Sequence, residues 1–290
     1  MRRNRSSLSR RRVAAYTLLE LLVVLAILSI LLALSTAAAL RAWSTTQQRV
    51  DKQNWATMRT LGKTVPRSTP YRVLFIGNSY TFVNDLPNMI ATLARAAGDA
   101  PAFTYDTQLV GGATLQQHWN EGIALSKIQQ GNWDFVVLQE QSQRPIYDEA
   151  VFDQYADLFD AEIRKQGAIT LFFMTWARQS LPQTQGQLTR AYTNIAQKLH
   201  AEVAPVGWAW QTSLTSKPSL VLHETDGSHP NPAGTYLAAC VFYGHVYGIS
   251  PEGLPPQLTV SAPDAAWLQG IAWQTVQANN RLFQPDWNPR

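Results

Sequence analysis

The sequence of 290 residues predicts an α/β protein: a three-layer α/β/α sandwich with a parallel sheet, preceded by one N-terminal transmembrane helix. Three observations carry this. From residue 71 on, short apolar runs alternate with longer segments of helical periodicity. Those runs are nearly continuous in apolar residues, as expected of strands covered on both faces. Residues 16–40 form one almost unbroken apolar stretch.

That stretch, "YTLLELLVVLAILSILLALSTAAAL", is 25 residues long. As a helix it spans roughly 37 Å, enough for a bilayer core of about 30 Å. It is longer than the core of an ordinary signal peptide. Arg2, Arg3, Arg5, Arg10, Arg11 and Arg12 precede it and only Arg41 follows closely. The asymmetry predicts a single pass with a cytoplasmic N-terminus and an exported body. Glu20 interrupts the apolar run. An ionised carboxylate at mid-bilayer costs on the order of 2.5 kcal/mol or more, whereas near the edge it snorkels. Residues 41–70 are polar and close with "VPRSTPY", which reads as a linker.

The elements of the body follow in order. "RVLFIGNS" reads as a buried strand, and "DLPNMIATLARAAG" as a helix with Asp85 as N-cap and Gly98 past its end. "FTYDTQLVG" is a second strand and "TLQQHWNEGIALSKIQQG" a second helix. "DFVVLQEQS" is a third strand, followed by the helix "VFDQYADLFDAEIRKQG". "AITLFFMTWA" is a strand, "QGQLTRAYTNIAQKLHA" a helix and "EVAPVGWAW" a shorter strand. "NPAGTYLAACVFYGHVYG" is a helix capped by Asn231 with Pro232 in its first turn. The extension 251–290 holds one more amphipathic helix at 261–283, expected to pack on the domain.

Composition narrows the function. Apolar residues make up 46% and charged residues 15%, so the chain is not disordered. The net charge of +4 resides in the leader, because 18 basic residues face 20 acidic ones from residue 16 on. The body therefore has no nucleic-acid footprint. Cys240 is the single cysteine, which excludes an intramolecular disulfide.

In a doubly wound sheet the functional crevice lies beyond the carboxyl ends of the strands. Ser79, Gly111, Gly112 and Gln141 fall just there. A serine needs a base to become a nucleophile. Of the five histidines, His229 stands out in "TDGSHPNPAG", with Asp226 three residues earlier. So short a loop can place a carboxylate against one imidazole nitrogen while the other faces a serine.

These residues resemble the blocks of the SGNH, or GDSL-type, hydrolase superfamily over residues 71–250. "GNSYT" resembles the first block, "GGAT" the second and "DGSH" the last, in family order. The resemblance implies a flavodoxin-like sandwich and a serine esterase acting through an acyl-enzyme without cofactor or metal. It implies Ser79 as nucleophile, His229 as base and Asp226 as its orienting acid. Its oxyanion hole would combine the amides of Ser79 and Gly112, with Gly111 the close alternative, and a side-chain amide. The third block departs from the family's G-x-N-D. Gln139, Glu140, Gln141 and Ser142 stand there, and Gln141 takes the asparagine's place. Glu140 receives no role from the resemblance. Substrates implied are esters of acylated sugars or lipids.

The N-terminus "AAYTLLELLVVLAILSILLAL" resembles type IV pilins and pseudopilins over about 40 residues. Cleavage would fall between Ala15 and Tyr16, leaving Glu20 as mature residue five. Ala15 stands for the usual glycine and Tyr16 for the usual phenylalanine. The resemblance implies prepilin peptidase and pilin-like subunits as partners, and a domain on the periplasmic side of a bacterial inner membrane. An ordinary signal anchor is the competing reading. At the level of the whole chain, a membrane-anchored esterase competes with a pilin-like minor subunit whose hydrolase-like domain is a non-catalytic binding module.

Blander readings stand beside these. Ser79 as the polar end of a buried strand needs no chemistry. His118, in "LQQHWN", reads as a packing or surface residue, as do His200 and His245. "HETDGSH" places His223, Glu224, Asp226 and His229 close together, but the spacing is not that of a helical zinc site. Trp176, Trp208 and Trp210 lie near predicted strand ends, either in a sugar cleft or in the core.

Overall fold

The computed structural model describes residues 69–98 and 101–283, together with Leu22, Val23, Leu25, Ala26, Ile27, Ser29 and Leu31. The last seven are helical, and their apolar side chains are exposed. Among the described residues no helix is long and apolar enough to cross a membrane. The basic leader, Ala15, Tyr16, Glu20, most of the 16–40 run and the linker to residue 68 lie outside them.

The body is a five-stranded, all-parallel sheet. Its strands are β1 (Tyr71–Gly77), β2 (Phe103–Leu109), β3 (Phe135–Leu138), β4 (Ile169–Phe173) and β5 (Glu202–Ala204), in the order β2-β1-β3-β4-β5. The chain winds one way from β1 to β2 and the other way through β3, β4 and β5. The order therefore reverses at β1, where doubly wound sheets open a crevice.

Helices are α1 (Ser79–Phe82), α2 (Leu86–Ala96), α3 (Leu115–Glu121), α4 (Ile123–Gln130), α5 (Arg144–Tyr147), α6 (Glu149–Lys165), α7 (Gln185–Leu199), α8 (Val206–Ser216), α9 (Pro232–Tyr247) and α10 (Ala262–Phe283). The period-2 alternation of the strands divides the core. Val73, Phe75, Phe135, Val137, Leu171 and Phe173 face the cluster of α2, α8, α9 and α10. Leu74, Ile76, Val136, Leu138 and Phe172 face the cluster of α3, α4, α6 and α7. The helix of the C-terminal extension is part of the first cluster through Ala265, Leu268, Ile271, Ala272 and Val276.

Several local expectations are corrected. "EVAPVGWAW" is not one strand: only Glu202–Ala204 pair, and α8 starts at Val206. Pro205 ends the ladder, and its carbonyl accepts the Ala209 amide of the new helix at 3.1 Å. The second helix divides at Gly122, whose φ of +74° ends α3 and opens α4. Asp85 precedes α2 but makes no side-chain cap; its own φ is +52°. Finally, β2 is an edge strand with mostly half-buried or exposed positions, not one covered on both faces.

Candidate active site

Strand tails build the site. β1 ends at Gly77, and the chain turns sharply into α1 at Ser79. Asn78 is the cap of this helix, its Oδ1 accepting the Tyr80 amide at 3.1 Å. The same side chain donates from Nδ2 to the Ala113 carbonyl at 2.9 Å. It thereby ties the serine turn to the "GGAT" turn.

That second turn closes through the Ala113 amide and the Val110 carbonyl at 3.1 Å. Gly112 occupies its third position with φ +69°, which glycine adopts without strain. Gly112 is exposed, and among the described residues neither its amide nor that of Ser79 has an acceptor. As the first residue of α1, Ser79 has no intrahelical acceptor to use.

Residues 139–142, expected to continue β3, leave the sheet. Gln139 is fully buried and packs on the serine turn. A Cβ on Gly77 would stand 2.6 Å from its Oε1, so this close approach needs glycine. Glu140 is buried as well, and its carboxylate accepts the amides of Gln141 at 2.6 Å and Leu115 at 3.3 Å. Burial pushes its carboxyl up to about 7, against the lowering pull of those two amides. Glu140 thus joins the third block to the start of α3. Gln141 turns its Oε1 to the amides of Gln143 at 2.8 Å and Arg144 at 3.1 Å. Its Nε2 reaches Ser142 Oγ at 3.4 Å. Among the described residues no hydrogen bond joins Gln141 to Ser79.

The histidine comes from the loop before α9. Asn231 caps that helix by accepting the Gly234 amide at 2.9 Å. The loop closes on itself: the Glu224 amide donates to the His229 carbonyl at 2.8 Å. Asp226 Oδ1 accepts the amides of Ser228 and His229, both at 2.9 Å, and Oδ2 contacts His229 Nδ1. His229 Nε2 stands 2.8 Å from Ser79 Oγ, across 150 residues of chain. The hydrogen bond to His229, then the two amides, holds the Asp226 carboxyl at about 2. An ionised carboxylate only accepts, so the imidazole carries its proton on Nδ1 and offers the Nε2 lone pair to the serine hydroxyl.

An aromatic stack supports the histidine loop, and here the tryptophan alternatives resolve. Trp176 and Trp210 are each 1% exposed and stack at 4.0 Å, while Trp208 is half-buried against the other core cluster. Trp176 also stacks on Tyr80 at 4.5 Å and donates from Nε1 to the Ser228 carbonyl at 3.0 Å. The Tyr80 hydroxyl meets Ser228 Oγ at 2.7 Å, and its ring stands edge-on to His229 at 5.8 Å. Asn84 donates to the Pro230 carbonyl at 3.0 Å from the other side. The sequence offered no direct signal for Tyr80 and Asn84 beyond their nearness to Ser79.

The remaining histidines have other places. His118 is buried with Nε2 2.8 Å from the Gly77 carbonyl, under the serine turn, and burial pushes its imidazole down. His223 Nε2 faces the Ala177 carbonyl at 3.0 Å. His245 pairs with Glu202 at 2.8 Å inside the core. His200 is exposed at the end of α7.

Comparison with known proteins agrees with this architecture. A protein from Slackia heliotrinireducens described as a candidate SGNH hydrolase superposes with a TM-score of 0.53 at 25% identity, covering 60% of this chain and 98% of its own. A DUF4886 family protein from Bacteroides uniformis gives 0.61 at 18% identity, covering 75% and 96%. The fold is that of the SGNH hydrolases. The lipase/acylhydrolase from Enterococcus faecalis shares it, with a TM-score of 0.50 and 16% identity over 65% of this chain and all of its own. At the other end of the chain, residues 10–36 match the prokaryotic N-terminal methylation motif. This SGNH-like chain thus carries a prepilin-type N-terminus, the mark of a membrane-anchored segment. No curated protein matches it.

Proposed function

We propose that the chain is a membrane-anchored serine esterase that hydrolyses carboxylic esters through an acyl-enzyme. The observation that carries this is the continuous file Asp226, His229, Ser79, with Ser79 Oγ 2.8 Å from the imidazole. In the reaction His229 Nε2 takes the Ser79 proton as Oγ attacks the ester carbonyl. The imidazolium then gives that proton to the leaving alkoxide. Water, deprotonated by the same nitrogen, releases the acid and restores the serine. Asp226 remains ionised and stabilises the imidazolium. The amides of Ser79 and Gly112 are the oxyanion donors. Gln141 Nε2 is the third, since its single long bond to Ser142 leaves one N–H to give.

In this reading the anchor lies in the bacterial inner membrane and the hydrolase domain on the periplasmic side, and the prepilin-type motif at residues 10–36 supports the anchor. O-acetyl groups of extracytoplasmic polysaccharide are then the substrates within reach. Processing by prepilin peptidase leaves a methylated Tyr16 as the first residue, read by mass spectrometry of the mature chain. An uncut Met1 removes that part of the reading.

The test of the enzyme uses the full-length chain in detergent. A fluorophosphonate probe labels Ser79 in the wild type, and 4-nitrophenyl acetate is hydrolysed; both signals vanish in Ser79→Ala. Labelling and turnover equal to the variant's background overturn the reading. The alternative, a pilin-like subunit with a non-catalytic binding domain, draws on the commitment of Gln141 Oε1 to its own loop.

A further inference from the structure

Arg178 is a half-buried cation placed beside the candidate site and left without an anion. It follows Ala177 beyond the end of β4. Its guanidinium has five N–H donors. It donates from Nη2 to Ser142 Oγ at a long 3.3 Å, and the Tyr80 hydroxyl is its other hydrogen-bonding neighbour. Its Nε is buried without a partner, and no carboxylate pairs with it.

The position is built. On one side of Arg178 the Ala177 amide donates to Gln185 Oε1 at 2.7 Å, and the Ala177 carbonyl meets His223 Nε2 at 3.0 Å. On the other side the Gln179 amide donates to the Gly227 carbonyl at 2.8 Å. The backbone is therefore pinned before and after the arginine, to α7 and to the histidine loop itself. The guanidinium and Ser142 both face the Tyr80 hydroxyl, next to Ser79 in the chain. Arg178 also lines a pocket of about 290 Å³ with Trp176, Gln179, Trp210, Gln211 and His223. That is close to the lower bound of small-molecule sites.

A half-buried positive charge with donors left over, held beside a reaction centre, suits an anionic ligand. A single planar guanidinium matches a carboxylate. We infer that Arg178 is the specificity-determining residue of this site and that the ester hydrolysed carries a carboxylate on its alcohol portion, as an acidic sugar does. The inference rests on the esterase reading for turnover, but not for binding.

Two measurements on the full-length chain in detergent separate the two. Acetate release is followed from O-acetylated glucuronic acid and O-acetylated glucose, for the wild type, Arg178→Ala and Arg178→Lys. The wild type should favour the uronate by about tenfold in kcat/KM, chiefly through KM. Arg178→Ala should erase that preference, and Arg178→Lys should restore part of it. Equal rates for both esters in the wild type, or a preference that survives in Arg178→Ala, overturn the inference while leaving the esterase intact. Binding of glucuronic acid and of glucose to Ser79→Ala is read by calorimetry. Uronate binding that disappears in Ser79→Ala/Arg178→Ala supports the anion site even if no ester is turned over. Equal binding of the two sugars, or none, overturns it.

Discussion

Gln139 and Asn78 exchange hydrogen bonds in opposite directions: Gln139 Oε1 accepts the Asn78 amide at 2.9 Å, and Gln139 Nε2 donates to Asn78 Oδ1 at 2.9 Å. The same Oε1 accepts the Thr81 hydroxyl at 3.0 Å. One side chain thus fixes both ends of the turn that carries Ser79. Gln139→Ala leaves buried Asn78 and Thr81 groups unpaired and opens a cavity. It should cost on the order of 3–5 kcal/mol, read from denaturant midpoints. Gln139→Glu keeps an acceptor but turns a donor into a lone pair against Asn78 Oδ1. Its loss should appear in kcat more than in KM, and unchanged kinetics in a folded Gln139→Glu would sink the positioning role.

Asp226 and His229 give a sharper kinetic expectation. Asp226→Asn puts an N–H where the carboxylate accepts, which favours the wrong imidazole tautomer. The turnover number should fall by roughly 10³–10⁴-fold with KM little changed. The position is exposed, so stability should move by less than about 1 kcal/mol. Parallel ester kinetics and thermal melts check both halves of this expectation.

What was legible in the sequence follows from how locally each signal is encoded. The strands, the helices and the D-x-x-H loop are short-range patterns, and the structure brings Asp226, His229 and Ser79 together. The strand at 202–210 was over-read because apolar Val206, Trp208 and Trp210 fit a buried strand as well as a buried helix. Only Pro205 marked the break. Gln141 stands where the resemblance needs an amide donor, but the sequence does not show that its Oε1 turns to the amides of Gln143 and Arg144, because side-chain direction depends on neighbours. Glu140, Gln139 and Arg178 gave no sequence signal of role, because their partners lie 25, 61 and 36 residues away.

Glu140 predicts a pH dependence of stability. Its carboxyl is pushed up to about 7 by burial, against an ordinary value near 4.5. The unfolded chain therefore loses this proton first as pH rises. The stabilising contribution is full below about pH 4.5, declines from there, and is lost once pH passes about 7, for a total of about 3 kcal/mol. Glu140→Gln, which cannot ionise, should flatten this slope. Denaturant midpoints from pH 4.5 to 8 for the two proteins should converge at the acid end and separate at the alkaline end in favour of the variant. Parallel curves would assign the slope to other groups.

Trp176 joins the core to the histidine loop, and two substitutions separate its two contributions. Trp176→Ala removes a large side chain stacked between Tyr80 and Trp210, and should cost about 3–5 kcal/mol. Trp176→Phe keeps an aromatic face in the stack but loses the Nε1 donor to the Ser228 carbonyl. Ser228 is only half-buried, so water can replace that donor, and the melting temperature should fall by only a few degrees. Catalysis should suffer more than stability, because Ser228 directly precedes His229 and its freedom becomes freedom of the imidazole relative to Ser79. A misplacement of about 1 Å costs on the order of 10²-fold in rate. The expected signature of Trp176→Phe is a lowered kcat, an unchanged KM and a nearly wild-type melt. A wild-type kcat in that variant would show that the Asp226 and Asn84 contacts hold the loop on their own.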